Sequence, residues 1–448
     1  MIRRLSYYSY RLISGAAHWF RRRFTKGGLF ALAGMSVAAG FGLDTNLTMA
    51  YQVFTFLLSL LTFAVASSFF YRATFAAQRL LPRFGTVGAP VAYTVAIRNP
   101  AARSRSGLVL LENLVDPRPT LREFLKAPTS HGRGKNWLQR SLGHRWSWLV
   151  SRKRVATLKE QPLPSLPPKG EIQVRVELMP LRRGRLQFDG VTVARPDPFG
   201  LFRAFAGISA PQSLLVLPKR YFLPPIEMPG ARKYQQGGVA LASSIGESDE
   251  FVSLRDYRPG DPLRRIHWKS WAKTDKPVVK EYQDEFFVRH ALILDTFIHA
   301  ASDEIFEEAV SVAASFACAI QTQESLLDLL FVGPQAYCFT AGRGVGHTDK
   351  LLEVLASVGV CTDKPFSSLK NLILQHVSAV SGCICVLLAW DEERRELIKF
   401  LKSLGVPMRV LVITEDTPDS IDPGPMKDQP EAFHHLRAGK AQEALGKL

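Results

Sequence analysis

Two long runs without a charged residue lie near the start of the chain and constrain its fold more than any other feature. Residues 48–71 form a run of 24 uncharged residues, and residues 27–43 form a run of 17. A helix needs about 20 apolar residues to cross the hydrocarbon core of a bilayer, with a range of about 17–25. Because only four residues separate the two runs, the sequence predicts a transmembrane helical hairpin with spans at about 27–43 and 48–71, within a basic N-terminal region at residues 1–83.

Basic residues flank the predicted hairpin at both of its outer ends. The flanking bases are Arg21, Arg22, Arg23, Lys26, Arg72, Arg79 and Arg83. The loop between the spans, residues 44–47, contains no base. Because cytoplasmic loops carry an excess of Lys and Arg, both ends of the hairpin are predicted to face the cytoplasm. Everything after residue 72 is then a cytoplasmic body held at a membrane.

Residues 84–220 show the short alternating pattern of β-strands. Apolar and polar side chains alternate over residues 91–97 and 171–178, and Gly, Pro and Asn separate such stretches. This alternation is typical of half-buried antiparallel strands. The sequence therefore predicts a β-sandwich domain in this region.

A basic, tryptophan-rich insertion is predicted to interrupt the sandwich at residues 112–169. It contains Trp137, Trp146 and Trp148, and residues 121–160 hold ten bases against two acids. Three interpretations stay open: a solvated insertion, contact with anionic lipid headgroups, and nucleic-acid binding. No recognised nucleic-acid-binding motif accompanies the bases, so nucleic acid is the least favoured of the three.

Residues 289–448 alternate apolar, strand-like runs with helical periodicity. One run ends at Asp295, residues 383–390 form another that Asp391 follows, and residues 392–404 have the pattern of a helix. Such alternation predicts a doubly wound α/β domain with a mainly parallel sheet. Ligands of these sheets bind beyond the carboxyl ends of the strands, so Asp295 and Asp391 are expected at the same edge.

The central segment, residues 246–285, lies in a connector predicted at residues 221–288. It combines nine acids, eight bases, two Trp and two Tyr. This density of charge and indole does not fit an apolar core, while recurring apolar residues indicate order. Arg and Trp dominate the energetics of protein interfaces. The candidates for binding a protein partner are Arg255, Tyr257, Asp261, Arg265, Trp268 and Lys269.

Two other interpretations of the central segment stay open. Its Arg and Asp side chains could form ion pairs that lock the loop onto the domain, with Trp268 and Trp271 as packing. Alternatively, Asp256, Asp261 and His267 could act as acid and base. However, the sequence offers no Ser or Cys on a nucleophile elbow and no His pair at metal-ligand spacing. No catalytic residue is therefore predicted, and the protein is not expected to be an enzyme.

The central segment resembles the motif of a known family. The bacterial family called domain of unknown function 58 has a central motif similar to these residues: Phe251, Leu254, Arg255, Tyr257, Pro259, Gly260, Asp261, Arg265, Ile266, Trp268, Lys269, Ala272 and Lys273. Residues 183–185 and 197–202 resemble the end of that family's β-domain, and the two predicted spans match its usual anchor. The resemblance covers roughly residues 28–415.

The resemblance implies a fold and a class of partner, and it implies no named reaction. Members of the family are similar to von Willebrand factor A domains, and they are often encoded beside MoxR-class AAA+ ATPases and transglutaminase-like membrane proteins. No activity is established for the family. A von Willebrand factor A-like domain is therefore expected at residues 289–448, and a MoxR-class AAA+ ATPase is the partner that the resemblance implies.

The metal-binding loop that the resemblance implies is degenerate in this chain. The family's A-type domain carries Asp-x-Ser-x-Ser after its first strand, and those oxygens suit Mg²⁺. Residues 295–299 read Asp-Thr-Phe-Ile-His instead. Phe297 cannot bind a metal ion, and His299 is a poor magnesium ligand. Asp295 and Asp391 are weak metal candidates, and neither a metal nor another cofactor is expected.

The combined features predict a membrane-anchored cytoplasmic scaffold or adaptor at the bacterial inner membrane. It would engage a protein partner, a MoxR-class AAA+ ATPase, in the assembly or regulation of an envelope complex. Two alternatives stay open: an enzyme that acts on cell-envelope material through residues 255–269, and a module that binds anionic lipid or nucleic acid. The lipid bilayer is an expected partner, and nucleic acid is not.

Overall fold

The computed structural model describes residues 2–41, 48–126, 144–224, 251–261, 263–282, 288–297, 303–320, 325–342, 348–415 and 421–446. The chain divides into two compact units, Met1–Lys219 and Arg220–Leu448. A separate apolar core holds each unit together. The two units are therefore described in turn.

Three helices begin the first unit: α1 (Ile2–Arg23), α2 (Lys26–Phe41) and α3 (Thr48–Phe69). Within the described part of the chain, one helix is long and apolar enough to cross a membrane, over Met49–Phe69. Helix α2 is apolar but has 16 residues, and residues 42–47 lie outside the described part. One candidate span is therefore present, and the two-span hairpin stays a prediction.

Two β-sheets enclose the core of the first unit. One sheet has the strand order β1-β3-β7-β5 and the other β2-β9-β8-β4-β6, and all neighbouring strands are antiparallel except β2 and β9. The strands are β1 (Ala76–Leu80), β2 (Phe84–Thr86), β3 (Val91–Arg98), β4 (Val109–Leu114), β5 (Ala156–Leu158), β6 (Gln161–Pro162), β7 (Glu171–Pro180), β8 (Gly184–Pro196) and β9 (Arg203–Leu217).

Alternation along the strands explains this packing. In β3, every second side chain from Val91 to Ile97 is buried, as expected for a strand with one face on a core. Those residues join Leu178 of the same sheet and Phe188 and Val193 of the other in one apolar cluster. The two sheets therefore share a single core.

The predicted insertion at residues 112–169 contains parts of this fold. Helices α4 (Leu121–Lys126) and α5 (His144–Lys153) lie within it, as do strands β5 and β6. Trp146 is only 6% exposed and packs with Phe124 and with Tyr7 of α1, whereas Trp137 lies outside the described residues. Trp146 therefore serves packing and is not available to a lipid or a nucleic acid.

A six-stranded sheet forms the centre of the second unit, with the order β14-β13-β12-β15-β16-β17. Strand β14 is antiparallel to β13, and the other neighbours are parallel. The strands are β12 (Val288–Leu294), β13 (Ser325–Val332), β14 (Ala336–Ala341), β15 (Gly382–Leu387), β16 (Met408–Thr414) and β17 (Phe433–Arg437). A two-stranded sheet of β10 (Phe251–Asp256) and β11 (Val278–Tyr282) precedes it.

Helices cover the larger sheet, and their order makes the unit a mixed α/β structure. The helices of the second unit are α6 (Trp268–Thr274), α7 (Asp303–Ala319), α8 (Thr348–Ser357), α9 (Ser367–His376), α10 (Glu392–Ser403) and α11 (Ala441–Leu445). Helices α9 and α10 share an apolar cluster with Ile293 and Cys385. Helix α7 contacts β12, β15 and β16, and the intervening side chains Leu292 and Ile384 are also buried. The predicted α/β class is therefore confirmed, and the sheet is mainly parallel.

Candidate functional site

The central segment folds into a β-hairpin with a short helix in its connection. Strands β10 and β11 pair antiparallel, with Arg255 opposite Val279. Between them lie a short 3₁₀ turn, Leu263–Arg265, and helix α6. Ile266 and Val279 form a β-bridge, and they are the buried side chains among those described in residues 254–280. The apolar core of the segment is therefore small, and most of its side chains reach solvent.

An ion pair fixes the loop that follows β10. The Arg255 guanidinium donates two hydrogen bonds to the Asp261 carboxylate, each 2.8 Å long. The Arg258 N–H donates to the same carboxylate at 2.9 Å, and Gly260 between them takes a φ of +107° that a side chain would disfavour. The loop is thus held by a bidentate contact, the strongest common geometry for this pair.

The same contacts set the ionisation of Asp261. The side-chain hydrogen bond from Arg255, followed by the backbone N–H of Arg258, lowers the pKa of Asp261 to about 2. The carboxylate is therefore ionised at physiological pH and occupied by donors. His267, the other residue considered as an acid or base, has its Nδ1 2.7 Å from Ser270 Oγ. Each of the two groups thus has its own structural partner.

Two tryptophans of helix α6 stack on one another. The ring centroids of Trp268 and Trp271 are 5.2 Å apart, with 16° between the ring planes, because residues three apart share one side of a helix. Trp268 is 64% exposed, and the segment also exposes Leu263, at 67%, and Leu254, at 40%. Exposed Trp side chains are enriched at protein interfaces, because the ring offers a large apolar surface together with a polar N–H group.

The structure places the six predicted partner-binding residues as follows. Arg255 and Asp261 form the ion pair, and Trp268 and Lys269 are exposed on α6. Tyr257 is partly buried, and its N–H donates to the carbonyl of Pro277. The side chain of Arg265 lies outside what the structure describes. The predicted ion-pair lock and the exposed Trp surface are therefore parts of the same segment.

A second polar cluster lies where the chain reverses its direction through the larger sheet. Strands β12 and β15 are neighbours, and the chain continues from them toward opposite edges. Asp295 follows β12, and Asp391 follows β15 and caps α10 by accepting from the Arg394 N–H at 3.2 Å. This is the edge at which sheets of this kind bind ligands.

One guanidinium joins both carboxylates of this cluster. Arg394 Nε donates to Asp295 at 2.6 Å, Nη1 donates to Asp391, and Nη2 donates to the carbonyl of Phe297 at 2.7 Å. Arg394 is 1% exposed, and its guanidinium lies over the ring of Phe366 at 4.8 Å. The cation that compensates the two carboxylates at this edge is therefore the guanidinium of Arg394.

Donor N–H groups occupy the Asp295 carboxylate. Besides Arg394, the N–H groups of Phe297 and Leu388 donate to it at 2.9 and 3.1 Å. Burial raises the pKa of Asp295, and the Arg394 guanidinium opposes that rise, while the charge of Asp295 raises the pKa of Arg394 against the effect of burial. Phe297 is buried against Phe366, with ring centroids 5.5 Å apart.

These residues do not fit a magnesium ion. Mg²⁺ requires oxygen ligands in near-octahedral geometry, whereas the oxygens of Asp295 accept from nitrogen donors and Phe297 fills the loop with an apolar ring. The described residues contain no group of three or more His, Cys, Asp or Glu side chains suited to a metal ion. His299 lies outside the described residues.

Sequence reasoning did not identify Arg394. A signal was present, because Arg394 lies in the first turn of a predicted helix that directly follows Asp391. A cation there is disfavoured by the helix dipole and needs a compensating anion. The carboxylates of Asp391 and Asp295 supply that compensation.

The comparisons with known proteins match part of the central segment and the first half of the α/β region. Residues 253–380 match the family model described as protein of unknown function DUF58. The uncharacterized protein YeaD of Bacillus subtilis (strain 168) is 28% identical over 190 residues, which are 42% of this chain and 46% of that protein. The chain thus spans about half the length of this curated relative.

Two solved structures show only distant likeness. The CARDB domain of a Pyrococcus furiosus protein is 12% identical, with a TM-score of 0.16, and the match covers 32% of this chain and 93% of that one. An inactive mutant of a GH20 exo-β-N-acetylglucosaminidase from Vibrio harveyi is 9% identical, with a TM-score of 0.13, over 80% of this chain and 59% of that one. Neither likeness supports a functional argument.

Proposed function

We propose that this chain is a membrane-anchored scaffold or adaptor that docks a protein partner through its central segment. The observation that carries the proposal is the exposed indole of Trp268 on a segment whose loop is fixed by the Arg255–Asp261 pair. Trp and Arg are the residues that most often dominate binding energy at interfaces. A loop already held in one conformation also loses less entropy on binding.

Charge supports a partner with an acidic surface. The central segment as a whole is close to neutral, with nine acids and eight bases, but its helix α6 carries two exposed bases, Lys269 and Lys273, beside Trp268 and contains no acid. Complementary potentials speed encounter and exclude wrong partners. The proposed partner surface therefore combines carboxylates with an apolar recess that accepts Trp268.

The class of the partner comes from the resemblance to domain of unknown function 58, which the DUF58 match over residues 253–380 supports. We assign the partner to the MoxR-class AAA+ ATPases on that basis. We also assign the second unit to the von Willebrand factor A-like domains, which the mainly parallel sheet between helices supports. An adaptor needs no reaction of its own, and the engaged states of Asp261 and His267 give the enzyme alternative less support.

Helix α3 supports the membrane anchor, and the distribution of bases supports its orientation. The span Met49–Phe69 is long enough to cross a bilayer. The bases before α2 and the exposed Arg72 and Arg83 after α3 favour the cytoplasm for both ends, so the proposal includes a second crossing of the membrane by α2. We therefore propose a cytoplasmic body at the inner membrane. A reporter enzyme that is active only in the cytoplasm should be active when it is fused to the C-terminus. Activity only outside the membrane would reject this topology.

Truncation of Trp268 should weaken binding of the partner. The dissociation constant between the full chain, reconstituted in lipid nanodiscs, and a purified MoxR-class ATPase of the same organism is measured by surface plasmon resonance with ATP present. Trp268→Ala should raise this constant about 30-fold, because loss of an interface anchor costs about 2 kcal/mol. Arg255→Ala should act in the same direction by releasing the loop.

A matched control separates docking from general damage. Phe222 lies in the same compact unit and is 76% exposed, so Phe222→Ala removes an aromatic ring outside the central segment. Its dissociation constant should equal that of the wild type. Equal affinities for Trp268→Ala and Phe222→Ala, or no binding by the wild-type chain, would reject the proposed docking surface.

A further inference from the structure

Helix α1 has one face that is fixed against the first unit. Tyr7 is 2% exposed, and its hydroxyl donates to the carbonyl of Pro119 at 3.3 Å. Its ring lies 5.7 Å from that of Phe124 and 5.8 Å from that of Trp146. Helices α4 and α5 thus pack against the Tyr7 face of α1, and the residues on the other side of α1 point away from them.

The opposite face of α1 exposes large apolar side chains. Leu5 and Leu12 are each 73% exposed, Tyr8 is 61% exposed and Trp19 is 48% exposed. Their spacing of i, i+3, i+7 and i+14 places them on one side of a helix. The helix is about 33 Å long at 1.5 Å per residue, so this apolar stripe extends over most of it.

The charge of this region has one sign. Residues 1–27 contain seven bases and no acid, and six of these bases lie on α1 itself. A stripe of Leu, Tyr and Trp on a basic helix is the pattern of helices that lie in a membrane interface. An acidic protein groove would also attract the bases, so the surroundings of the helix decide between the two.

The apolar stripe continues into the membrane-anchoring helices. Helix α1 ends at Arg23, and α2 begins at Lys26. Phe20, near the end of α1, lines one apolar groove together with Leu32 of α2 and Leu58 of α3. Because the ring of Phe20 contacts that of Trp19 in the stripe, with centroids 5.2 Å apart, this groove joins the stripe to the helix that is long enough to cross a bilayer and places lipid next to α1.

We propose that α1 lies in the surface of the membrane that α3 crosses, with Leu5, Tyr8, Leu12 and Trp19 in the boundary between headgroups and acyl chains. The exposed arginines Arg3, Arg4 and Arg21 contact anionic phospholipid headgroups, whereas Arg22 and Arg23 donate to Asn113 and to the carbonyl of Arg203 in the same unit. The bases attract anionic lipid, and the apolar stripe supplies the depth of insertion. The contact orients the first unit on the membrane. It shares the membrane with the proposed scaffold function but does not depend on the partner.

Depth-dependent quenching of a fluorophore tests the position of the stripe. In the full chain with Cys318→Ser, which removes an exposed thiol, nitrobenzoxadiazole is attached at Leu12→Cys or at Ala17→Cys. Ala17 is exposed on α1, and five residues away it points about 140° from Leu12. The chain is reconstituted into vesicles of phosphatidylethanolamine and phosphatidylglycerol that contain nitroxide-labelled acyl chains.

The label at position 12 should be quenched roughly threefold more strongly than the label at position 17, because an interfacial helix buries only its apolar face. Equal quenching at both positions would overturn the proposal. The proposal would also be overturned if the label at position 12 lay as deep in vesicles of phosphatidylcholine alone as in the vesicles with phosphatidylglycerol, since the anionic headgroups would then have no role. Quenching at position 12 that increases with protein concentration and does not depend on the nitroxide-labelled lipid would overturn the proposal and indicate that the stripe contacts a second copy of the chain.

Flotation and partner binding, measured on the same vesicles, separate this proposal from the scaffold function. A chain that floats and binds the ATPase with equal quenching at both positions keeps the scaffold proposal and loses the α1 proposal. Strong quenching at position 12 without ATPase binding would support the α1 proposal and reject the scaffold proposal.

Discussion

Arg394→Ala should destabilise the second unit by about 3–5 kcal/mol, because removing one partner of a buried ion pair leaves a charge without compensation. Asp295, which is fully buried, would lose its closest donor, and the carbonyl of Phe297 would lose the Nη2 hydrogen bond. Hydrogen exchange of the full chain measures the effect locally. Amides of β12 and β15 that exchange by unfolding of the unit should exchange about 200- to 5,000-fold faster.

Two further variants test the assignment of this effect to the ion pair. Lys399 is an exposed cation on the same helix, and Lys399→Ala should change stability by no more than about 0.5 kcal/mol. The double variant Asp295→Asn with Arg394→Met should lose less than the sum of its single changes, because no unpaired charge remains. Equal stability of Arg394→Ala and Lys399→Ala would contradict the role given to Arg394.

Arg79→Ala should destabilise the β-sandwich to a similar extent, about 3–5 kcal/mol. Arg79 and Glu112 have side chains 0% and 2% exposed, and the shortest contact between them is 2.7 Å. Arg79 also donates to the carbonyls of Gly190, at 2.6 Å, and Ala210. The hydroxyl of Tyr93 donates to Glu112 at 3.0 Å. One arginine on a strand of the first sheet thus joins three strands of the second.

Thermal unfolding of the full chain, followed by the near-ultraviolet circular dichroism of its aromatic side chains, measures this loss. Arg175 is an exposed arginine on β7 of the same sandwich, so Arg175→Ala is the control and should leave the transition unchanged. An Arg79→Ala chain that unfolds at the same temperature as Arg175→Ala would show that the buried network adds nothing to stability. Arg79 would then count only as a base that flanks the predicted hairpin.

The sequence predicted elements whose periodicity is regular. Alternation over residues 91–97 corresponds to β3, and the helical pattern over residues 392–404 corresponds to α10 (Glu392–Ser403). Periodicity works here because one face of each element is buried, and burial selects the residue type at each position. The shared edge of Asp295 and Asp391 followed from the same logic, since carboxyl ends of parallel strands lie together.

The features that the sequence did not predict depend on contacts between distant residues. The sequence predicts Arg79 as a base beside the membrane, but in the structure it is buried and paired with Glu112, 33 residues later. Arg394 contacts Asp295, which is 99 residues away in the sequence, and a local sequence pattern does not predict contacts between residues so far apart. Helix α1 was missed for a different reason. Its six arginines lower the hydropathy of residues 2–23, which obscures the helical period of the apolar stripe between them.

Site-specific crosslinking in native membranes tests the central claim most directly. A photoreactive benzoylphenylalanine replaces Leu263, an exposed residue of the central segment, so that Trp268 is retained, and a control chain carries it at Phe222, which is also exposed. If the central segment docks a MoxR-class ATPase, irradiation should crosslink the ATPase at position 263 and not at position 222. Crosslinking of the ATPase at both positions, or at neither, would contradict the account.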